Sequence, residues 1–173
     1  MSGNLQPPAD LVERFGEALT TASDGAWELQ VPSEAVHQAL AYLGAERVPP
    51  FDLFVDMFGV DYGDEFEVVY HLSRVMTPEL VRIRTRVPRR GGKVTTATDI
   101  WAGASWPERE LIEMYGVMVE GHPDPRNLLL PTGWKGFPLR KDYEYPQDHP
   151  YLARDPLHED PAAYLGDSPQ GEA

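Results

Sequence analysis

The stretch FDLFVDMFGVDYGDEFEVVYHLSRVMTPELVRIRTRV, residues 51–87, decides the fold of this chain. Residues 51–60 are apolar on both alternating sets apart from two aspartates, which predicts a strand at the centre of a sheet. Residues 65–73 and 79–87 alternate apolar with polar side chains, as strands with one buried face do. A glycine in the first link and a Thr-Pro pair in the second favour turns. The three segments therefore predict an antiparallel meander.

Two amphipathic helices are predicted ahead of this meander. Asp10 and Glu13 have the spacing of a capping pair and open a segment with one apolar helical face. Residues 27–31, WELQV, alternate like a short strand. Ser33 then predicts the start of a second helix, and Gly44 has the position of a glycine that follows a helix end. With both helices covering one face of the sheet, the fold class is α+β.

A third helix and a long irregular segment complete the chain. Ser105 and Glu108 have the spacing of a capping box, and the helix that they open should end at Gly116. Residues 117–173 hold nine of the 17 prolines and show no helical or strand period. Because proline removes a backbone donor, this part should contain little regular structure. The chain is therefore predicted to be an α/β domain, residues 1–116, followed by an extended C-terminal arm.

The amino-acid composition excludes several kinds of functional site in this chain. It contains no cysteine, which excludes disulfides, thiolate zinc sites, cysteine nucleophiles and cysteine-ligated iron–sulfur clusters. No run approaches the roughly 18 apolar residues of a membrane span. The first residues, MSGNLQPPAD, resemble no secretory signal, so the sequence predicts a soluble, cytoplasmic protein.

The charge argues against nucleic acid and against anionic lipid as main partners. The formal net charge is −13 at pH 7, and phosphate groups repel such a chain. Six of the 15 basic residues nevertheless fall within residues 82–93. A basic face that meets an acidic partner and an ordinary solvated strand face both remain open for this cluster.

The start of the third helix carries the densest set of charges. Glu108, Arg109, Glu110 and Glu113 lie on just over one turn, where Arg109 and Glu113 have the spacing of an ion pair. Acid–base catalysis would need two carboxylates that converge on a pocket with separated pKa values. The sequence indicates no such pocket, so a solvated or partner-facing helix is favoured.

The arm offers no recognisable ligand site. His122, inside the turn GHPDP, has no companions at metal-ligand spacing, so a hydrogen bond that fixes the turn is the favoured role. Gly133, Lys135 and Gly136 fit neither the P-loop nor the dinucleotide fingerprint. Residues 137–143, FPLRKDY, mix proline, aromatic and charged groups, which is typical of an extended segment that docks into a protein groove.

Residues 98–143 closely resemble the 30-kilodalton subunit, also called the C subunit, of the proton-pumping NADH:quinone oxidoreductase, respiratory complex I. The shared motifs, in matching order and spacing, are ERE and EMYG within 108–116, GHPDPRNLLLP at 121–131 and GWKGFPLRKDY at 133–143. The strand segment DYGDEFEVVYHLS is similar as well, so the resemblance covers about half the chain. The chain departs from the family at Glu113, usually aspartate, and at residues 125–127, commonly Leu-Arg-Arg.

This resemblance implies a two-layer α/β domain with a mixed, largely antiparallel sheet flanked by helices, and a C-terminal extension that lies across neighbouring subunits. It implies a place in the hydrophilic arm, against the 49-kDa subunit of the quinone pocket and neighbouring iron–sulfur subunits. FMN and the clusters are expected in those partners. No catalytic, cofactor-binding or metal-binding residue is expected in this chain. It should lie on the cytoplasmic side of the cell inner membrane, touching the membrane only through the complex.

The function predicted from the resemblance is that of a non-catalytic structural and assembly subunit. Nine residues are predicted to contact partner subunits through charge-assisted hydrogen bonds: Glu108, Arg109, Glu110, His122, Arg126, Arg140, Lys141, Asp142 and Tyr143. One alternative keeps this role in a ferredoxin-fed or hydrogenase-type relative of the complex. Another is a freestanding enzyme, with or without a divalent metal, in which Glu108, Glu110 and His122 converge in a closed pocket.

Overall fold

The computed structural model of the chain describes residues 6–131 and 133–145. Of these, residues 6–131 and 133–143 belong to one compact unit. Within the described residues there are three α-helices, α1 (Ala9–Phe15), α2 (Val36–Ala41) and α3 (Ser105–Tyr115). The seven strands are β1 (Leu19–Thr21), β2 (Trp27–Gln30), β3 (Leu53–Asp61), β4 (Glu65–Arg74), β5 (Thr77–Pro88), β6 (Lys93–Thr95) and β7 (Met118–Glu120). None of these helices is long and apolar enough to cross a bilayer.

The main sheet is mixed and largely antiparallel, as predicted. Its strand order is β1-β2-β5-β4-β3, and only the β2–β5 pair is parallel. Leu29, Ile83, Tyr70 and Met57 are register partners in a row across four strands, and all four are buried. The α+β fold class is therefore confirmed.

The prediction that residues 51–60 form a central strand was wrong, because β3 lies at the sheet edge. The central position belongs to β5, which pairs with β2 on one side and β4 on the other. One set of β3 residues packs under α3, where Gly59 lies against the ring of Tyr115. The exposed residues of β3 include Val55, at a β-bulge between Phe54 and Asp56, and Phe58, whose ring lies 5.3 Å from that of His71. Apolar residues on both faces thus reflect packing on one face and exposure on the other.

All three helices pack on one face of the sheet and enclose a single core. Leu11 of α1, Leu40 of α2 and Leu111 of α3 belong to the same buried cluster as Tyr70 and Ile83 from the strands. These side chains are almost fully removed from water, and burial of each contributes about 1.5–3 kcal/mol before the entropy cost of folding. The amphipathic patterns predicted this layer correctly.

The opposite face of the sheet carries the arginines of β5. Arg84 donates to Glu67 at 2.7 Å and to Glu28 at 3.3 Å. Arg82 and Arg86 pair in the same way with further carboxylates of the neighbouring strands and turns, namely Asp24, Glu28, Glu65 and Glu67. These three arginines are neutralised by carboxylates of the sheet and its turns, which favours a solvated strand face over a basic face for a partner at this part of the cluster.

The predicted caps of the first two helices were wrong. Asp10 lies inside α1, and its carboxylate accepts a hydrogen bond from Arg47 at 2.7 Å instead of capping the helix. The second helix begins beyond Ser33, without a side-chain cap. Gly44 lies within a turn of π-helix, where the missing side chain leaves room for the ring of Trp101.

The third helix ends as predicted, at Gly116, whose φ is +67°. Beyond it the arm contains one regular element among its described residues, β7, which pairs in parallel with β6. For the described residues, this agrees with the expectation of little regular structure, to which β7 is a three-residue exception. The division of the chain at residue 116 stays a prediction, and the arm beyond residue 145 lies outside the described residues.

Candidate partner-docking site

Glu108 points into the protein and not to a helix cap. Its side chain is 1% exposed, and it accepts hydrogen bonds from the Thr96 hydroxyl and from the Ala97 N–H, both at 2.6 Å. The Ser105 hydroxyl lies 3.3 Å from Nε2 of His122. The predicted capping box was therefore wrong, because both side chains find partners on segments that flank α3.

His122 fixes the GHPDP turn, as predicted. Its Nδ1 accepts the Asp124 N–H at 3.0 Å, while Nε2 lies 3.0 Å from the Ser105 carbonyl oxygen. Because Nδ1 is the acceptor, the proton of the neutral ring is on Nε2, which donates to that carbonyl. Nε2 also lies 3.8 Å from the Glu108 carboxylate. Burial raises the pKa of Glu108, although its hydrogen bonds with Ala97 and Thr96 oppose the shift.

A second buried carboxylate on α3 holds the arm directly. Glu113 accepts backbone N–H groups from three consecutive residues, Leu128 at 2.9 Å, Leu129 at 2.7 Å and Leu130 at 3.3 Å. Hydrogen bonds to an ionised acceptor are about twice as strong as neutral ones. Glu113 therefore fixes the backbone of residues 128–130 onto the helix.

Arg109 holds the preceding residues of the arm. Its guanidinium donates to the carbonyl oxygens of Arg126 and Asn127, both at 2.7 Å. The predicted pair between Arg109 and Glu113 was therefore wrong, because each side chain binds the arm backbone instead. A basic and an acidic residue of one helix thus satisfy carbonyl and N–H groups of the same short segment.

Farther along the arm, Asp61 at the end of β3 receives the backbone. It accepts the Lys141 N–H at 2.8 Å and the Gly63 N–H at 2.7 Å, and it pairs with Arg89 at 2.7 Å. Burial raises the pKa of Asp61, but these backbone and arginine contacts outweigh it and hold the pKa below its usual value. Arg89 also pairs with Asp142. These contacts connect the arm to the main sheet.

Arg140 completes the attachment. Its Nε donates to the Tyr115 carbonyl oxygen at 2.6 Å, and the guanidinium lies 4.2 Å from the ring centre of Phe137 and 5.1 Å from that of Phe66. Burial lowers the pKa of Arg140. Gly116 permits this packing, since a side chain there would collide with Phe137 and Arg140.

The structure distributes the nine predicted contact residues over three environments. Glu108 and His122 are buried, Arg109, Arg140 and Tyr143 are half-buried, and Glu110, Arg126, Lys141 and Asp142 are exposed. The partner role of the nine stays a prediction. The freestanding-enzyme alternative requires Glu110 in one pocket with Glu108 and His122, and the exposed position of Glu110 does not meet that requirement.

Two residues that hold the arm backbone, Glu113 and Asp61, are absent from the nine predicted contact residues. The helical spacing predicted an ion pair for Glu113, and the sequence predicted only a turn in the link that contains Asp61. For Glu113, the Leu-Leu-Leu run at residues 128–130 offered a signal. Outside a strand or helix, its backbone N–H groups need an acceptor, and a carboxylate can supply one. Asp61 had no local signal, because its partner Lys141 is 80 residues away.

Two open grooves flank the segment that Glu113 holds, which we call the 128–130 ridge. The first groove has a volume of about 490 Å³ and is lined by Ala102, Gly103, Trp106, Pro107, Glu110 and Leu128. The second has a volume of about 600 Å³ and is lined by Arg109, Arg126, Asn127, Leu130 and Gly133. In the described part of the chain, no group of three or more histidine, cysteine, aspartate or glutamate side chains is placed to hold a metal ion.

The fold and the site define a class of protein: an α+β domain whose buried carboxylates hold an extended C-terminal segment against it. Residues 29–149 match the family described as respiratory-chain NADH dehydrogenase, 30 Kd subunit. The chain belongs to this family, which confirms the resemblance seen in its motifs.

Individual relatives agree with that assignment. The chain is 35% identical over 170 residues to the second C subunit of the NADH-quinone oxidoreductase of Rhizobium meliloti (strain 1021), covering 93% of each chain. It is 37% identical over 118 residues to the C/D subunit of the NADH-quinone oxidoreductase of Phocaeicola vulgatus, and the match covers 67% of this chain and 22% of that relative. Among solved structures, the trypsin-resistant fragment of Nqo5 has a TM-score of 0.58 at 25% identity, covering 66% of this chain and 94% of the fragment.

Proposed function

We propose that this chain is a structural and assembly subunit of the peripheral arm of a proton-translocating NADH:quinone oxidoreductase, with no active site of its own. Electrons then pass from NADH through FMN and iron–sulfur clusters of other subunits to a quinone. The observation that carries the proposal is the family match over residues 29–149, which includes β3, β4 and β5 of the main sheet and the anchored part of the arm. The lack of cysteine is compatible with clusters located elsewhere.

The geometry supports an assembly role because the arm is held from within. Glu113, Arg109, Asp61 and Arg140 satisfy the arm backbone through contacts inside the chain. The exposed charges of the arm are thereby presented on a fixed backbone. A surface that is ordered before binding loses less conformational entropy when a partner docks.

The chief partner in this proposal is the large subunit of the quinone pocket, with neighbouring iron–sulfur subunits beside it. One relative is a single chain named for both C and D. This name supports the D subunit as a direct neighbour, and the proposal takes the D subunit to be the large subunit of the quinone pocket. The complex would place this chain on the cytoplasmic side of the inner membrane, in contact with the bilayer only through other subunits. The relatives' names favour NADH over ferredoxin or hydrogen as the electron source.

The test is recovery of the native complex through this chain. An affinity tag on the full chain in its own host, mild detergent and mass spectrometry of the eluate should yield the hydrophilic oxidoreductase subunits, with the D subunit among them. The eluate should reduce a quinone with NADH. Recovery of the chain alone would contradict the proposal, and activity only with reduced ferredoxin or with a hydrogenase reaction would select the alternative host.

A further inference from the structure

The 128–130 ridge presents apolar surface that the core does not use. Leu129 is 62% exposed, and Trp106, on the wall of the first groove, is 69% exposed. Leu128 and Leu130 line the two grooves on either side. Exposed tryptophan and leucine beside concave surface are typical of the anchoring centre of a protein interface.

This ridge cannot withdraw its apolar side chains easily. The Glu113 carboxylate holds all three backbone N–H groups, and Arg109 holds the two carbonyl groups that precede them. Turning Leu129 inward would break charge-assisted hydrogen bonds, each of which contributes about 1.5–3 kcal/mol. The exposure is therefore built into the fold.

The two grooves have opposite charge. Glu110 lines the first groove, and its side chain makes no hydrogen bond or ion pair with the described residues. The second groove is lined by Arg109 and Arg126, and the Arg126 side chain is 82% exposed and pairs with Asp124. A ligand that crosses the ridge therefore meets a carboxylate on one side and guanidinium groups on the other.

We propose that the 128–130 ridge and its two grooves are the docking site for a segment of a different polypeptide that carries an apolar side chain between a basic and an acidic residue. The apolar side chain packs on Trp106 and Leu129. The basic residue pairs with Glu110, and the acidic residue approaches Arg109 and Arg126. This inference rests on the proposed function, since it specifies the chemistry of one partner contact within the complex.

Charge argues against the two other occupants. A second copy of this chain carries the same net charge of −13 and is repelled. Residues 146–173 of the chain itself contain six acidic residues and one arginine. Such an acidic segment is attracted by the arginines of the second groove but repelled by Glu110 in the first groove. A separate chain with both charges fits the whole surface.

The test is a photocrosslinking amino acid at position 129 of the full chain, expressed in its own host, followed by purification of the complex and peptide mapping. An adduct with another subunit, on a peptide with basic and acidic residues around an apolar one, is the expected result. The same amino acid at Met76, which is 87% exposed and lies in the β4–β5 turn, should not give that adduct. Adducts confined to a second copy or to residues 146–173, or none in an assembled complex, overturn the inference.

Charge reversal separates this inference from the proposed function. Glu110→Lys and Leu129→Asp should each reduce co-purification of the crosslinked subunit about tenfold, equivalent to about 1.4 kcal/mol of binding. Glu13→Lys and Met76→Asp, exposed positions away from the ridge, should leave it unchanged. If wild-type chain recovers the complex and the ridge variants recover it equally well, the docking site is refuted while the proposed function stands. If wild-type chain recovers no complex, the proposed function itself fails.

Discussion

Glu113 accepts the backbone N–H of Leu129 at 2.7 Å, across 16 residues of chain that include the end of α3, β7 and the GHPDP turn. Glu113 also accepts the N–H groups of Leu128 and Leu130. A helix carboxylate whose sequence spacing predicts a surface ion pair therefore anchors the backbone of the arm.

Glu113→Gln should loosen the arm without unfolding the sheet. The amide keeps an acceptor oxygen but loses the negative charge, and its NH2 group faces backbone donors, so we expect unfolding to cost about 2 kcal/mol less. Limited proteolysis should then cut within residues 126–131 faster than in the wild type. Glu110→Gln, on the same helix but exposed, should stay within about 0.5 kcal/mol of the wild type. Equal protease resistance of the two variants would contradict the anchoring role.

The hydrophobic periodicity of the sequence predicted the helix and sheet layers of this protein. It did not predict the contacts between segments that are far apart in sequence. Period-2 and helical spacing located β2, β4, β5 and all three helices, because each has a periodic apolar set that packs into the core. In β4 the other set is partly buried as well, at Glu67 and Val69. The edge position of β3 was missed, since strand order depends on the parallel pairing of Trp27 with Val81, far apart in sequence. The capping predictions failed where a residue distant in sequence but close in the fold, such as Arg47 for Asp10, offered a stronger partner.

Asp61→Asn should destabilise the protein in a pH-dependent manner. The contacts with Lys141, Gly63 and Arg89 hold the pKa of Asp61 below its usual value. The unfolded chain therefore binds the proton more readily, and the contribution of Asp61 is present above its unfolded pKa and lost as pH falls through the folded pKa. Chemical denaturation of both proteins should show a gap of about 1–3 kcal/mol at pH 7 that narrows below about pH 4. A gap that stays constant down to about pH 2 would contradict the ionised contact.

Glu108→Gln should change the pH dependence of the free energy of unfolding in the opposite sense to Asp61→Asn. Burial raises the pKa of Glu108 above its unfolded value. The folded protein then holds a proton that the unfolded chain releases, so this residue lowers stability as pH rises from the unfolded pKa through the folded one. Glutamine cannot titrate and should remove the downward slope that begins near the unfolded pKa of about 4.3. The control His122→Gln changes the neighbouring buried side chain but leaves Glu108 in place, so this variant should keep the downward slope. Superimposable slopes for wild type and Glu108→Gln would refute the raised pKa.

Gly116→Ala should cost more than the backbone conformation alone requires. Gly91 and Gly116 have φ of +71° and +67°, and alanine at either position costs about 1 kcal/mol in that conformation. At Gly91 the new methyl group meets nothing within 4 Å, whereas at Gly116 it meets Phe137 and Arg140 at 2.5–2.6 Å. Overpacking should add at least about 1 kcal/mol there. Thermal unfolding of the two variants measures the difference, and equal midpoints would mean that Phe137 and Arg140 do not pack on Gly116.

Arg140 and Lys141 are adjacent basic residues of the arm that should respond differently to charge reversal. The guanidinium of Arg140 binds the Tyr115 carbonyl and lies on the ring of Phe137, so Arg140→Glu removes internal contacts and should lower the free energy of unfolding by about 2–4 kcal/mol. The Lys141 side chain is exposed, and its backbone N–H donates to Asp61. Lys141→Glu should therefore leave the fold within about 0.5 kcal/mol of the wild type and yet impair recovery of the complex. Circular dichroism with denaturant measures the first effect, and co-purification of the other subunits measures the second. If the complex assembles normally with Lys141→Glu, Lys141 is not part of the predicted interface. Because the variant keeps the stability of the fold, an assembly defect could come only from the interface.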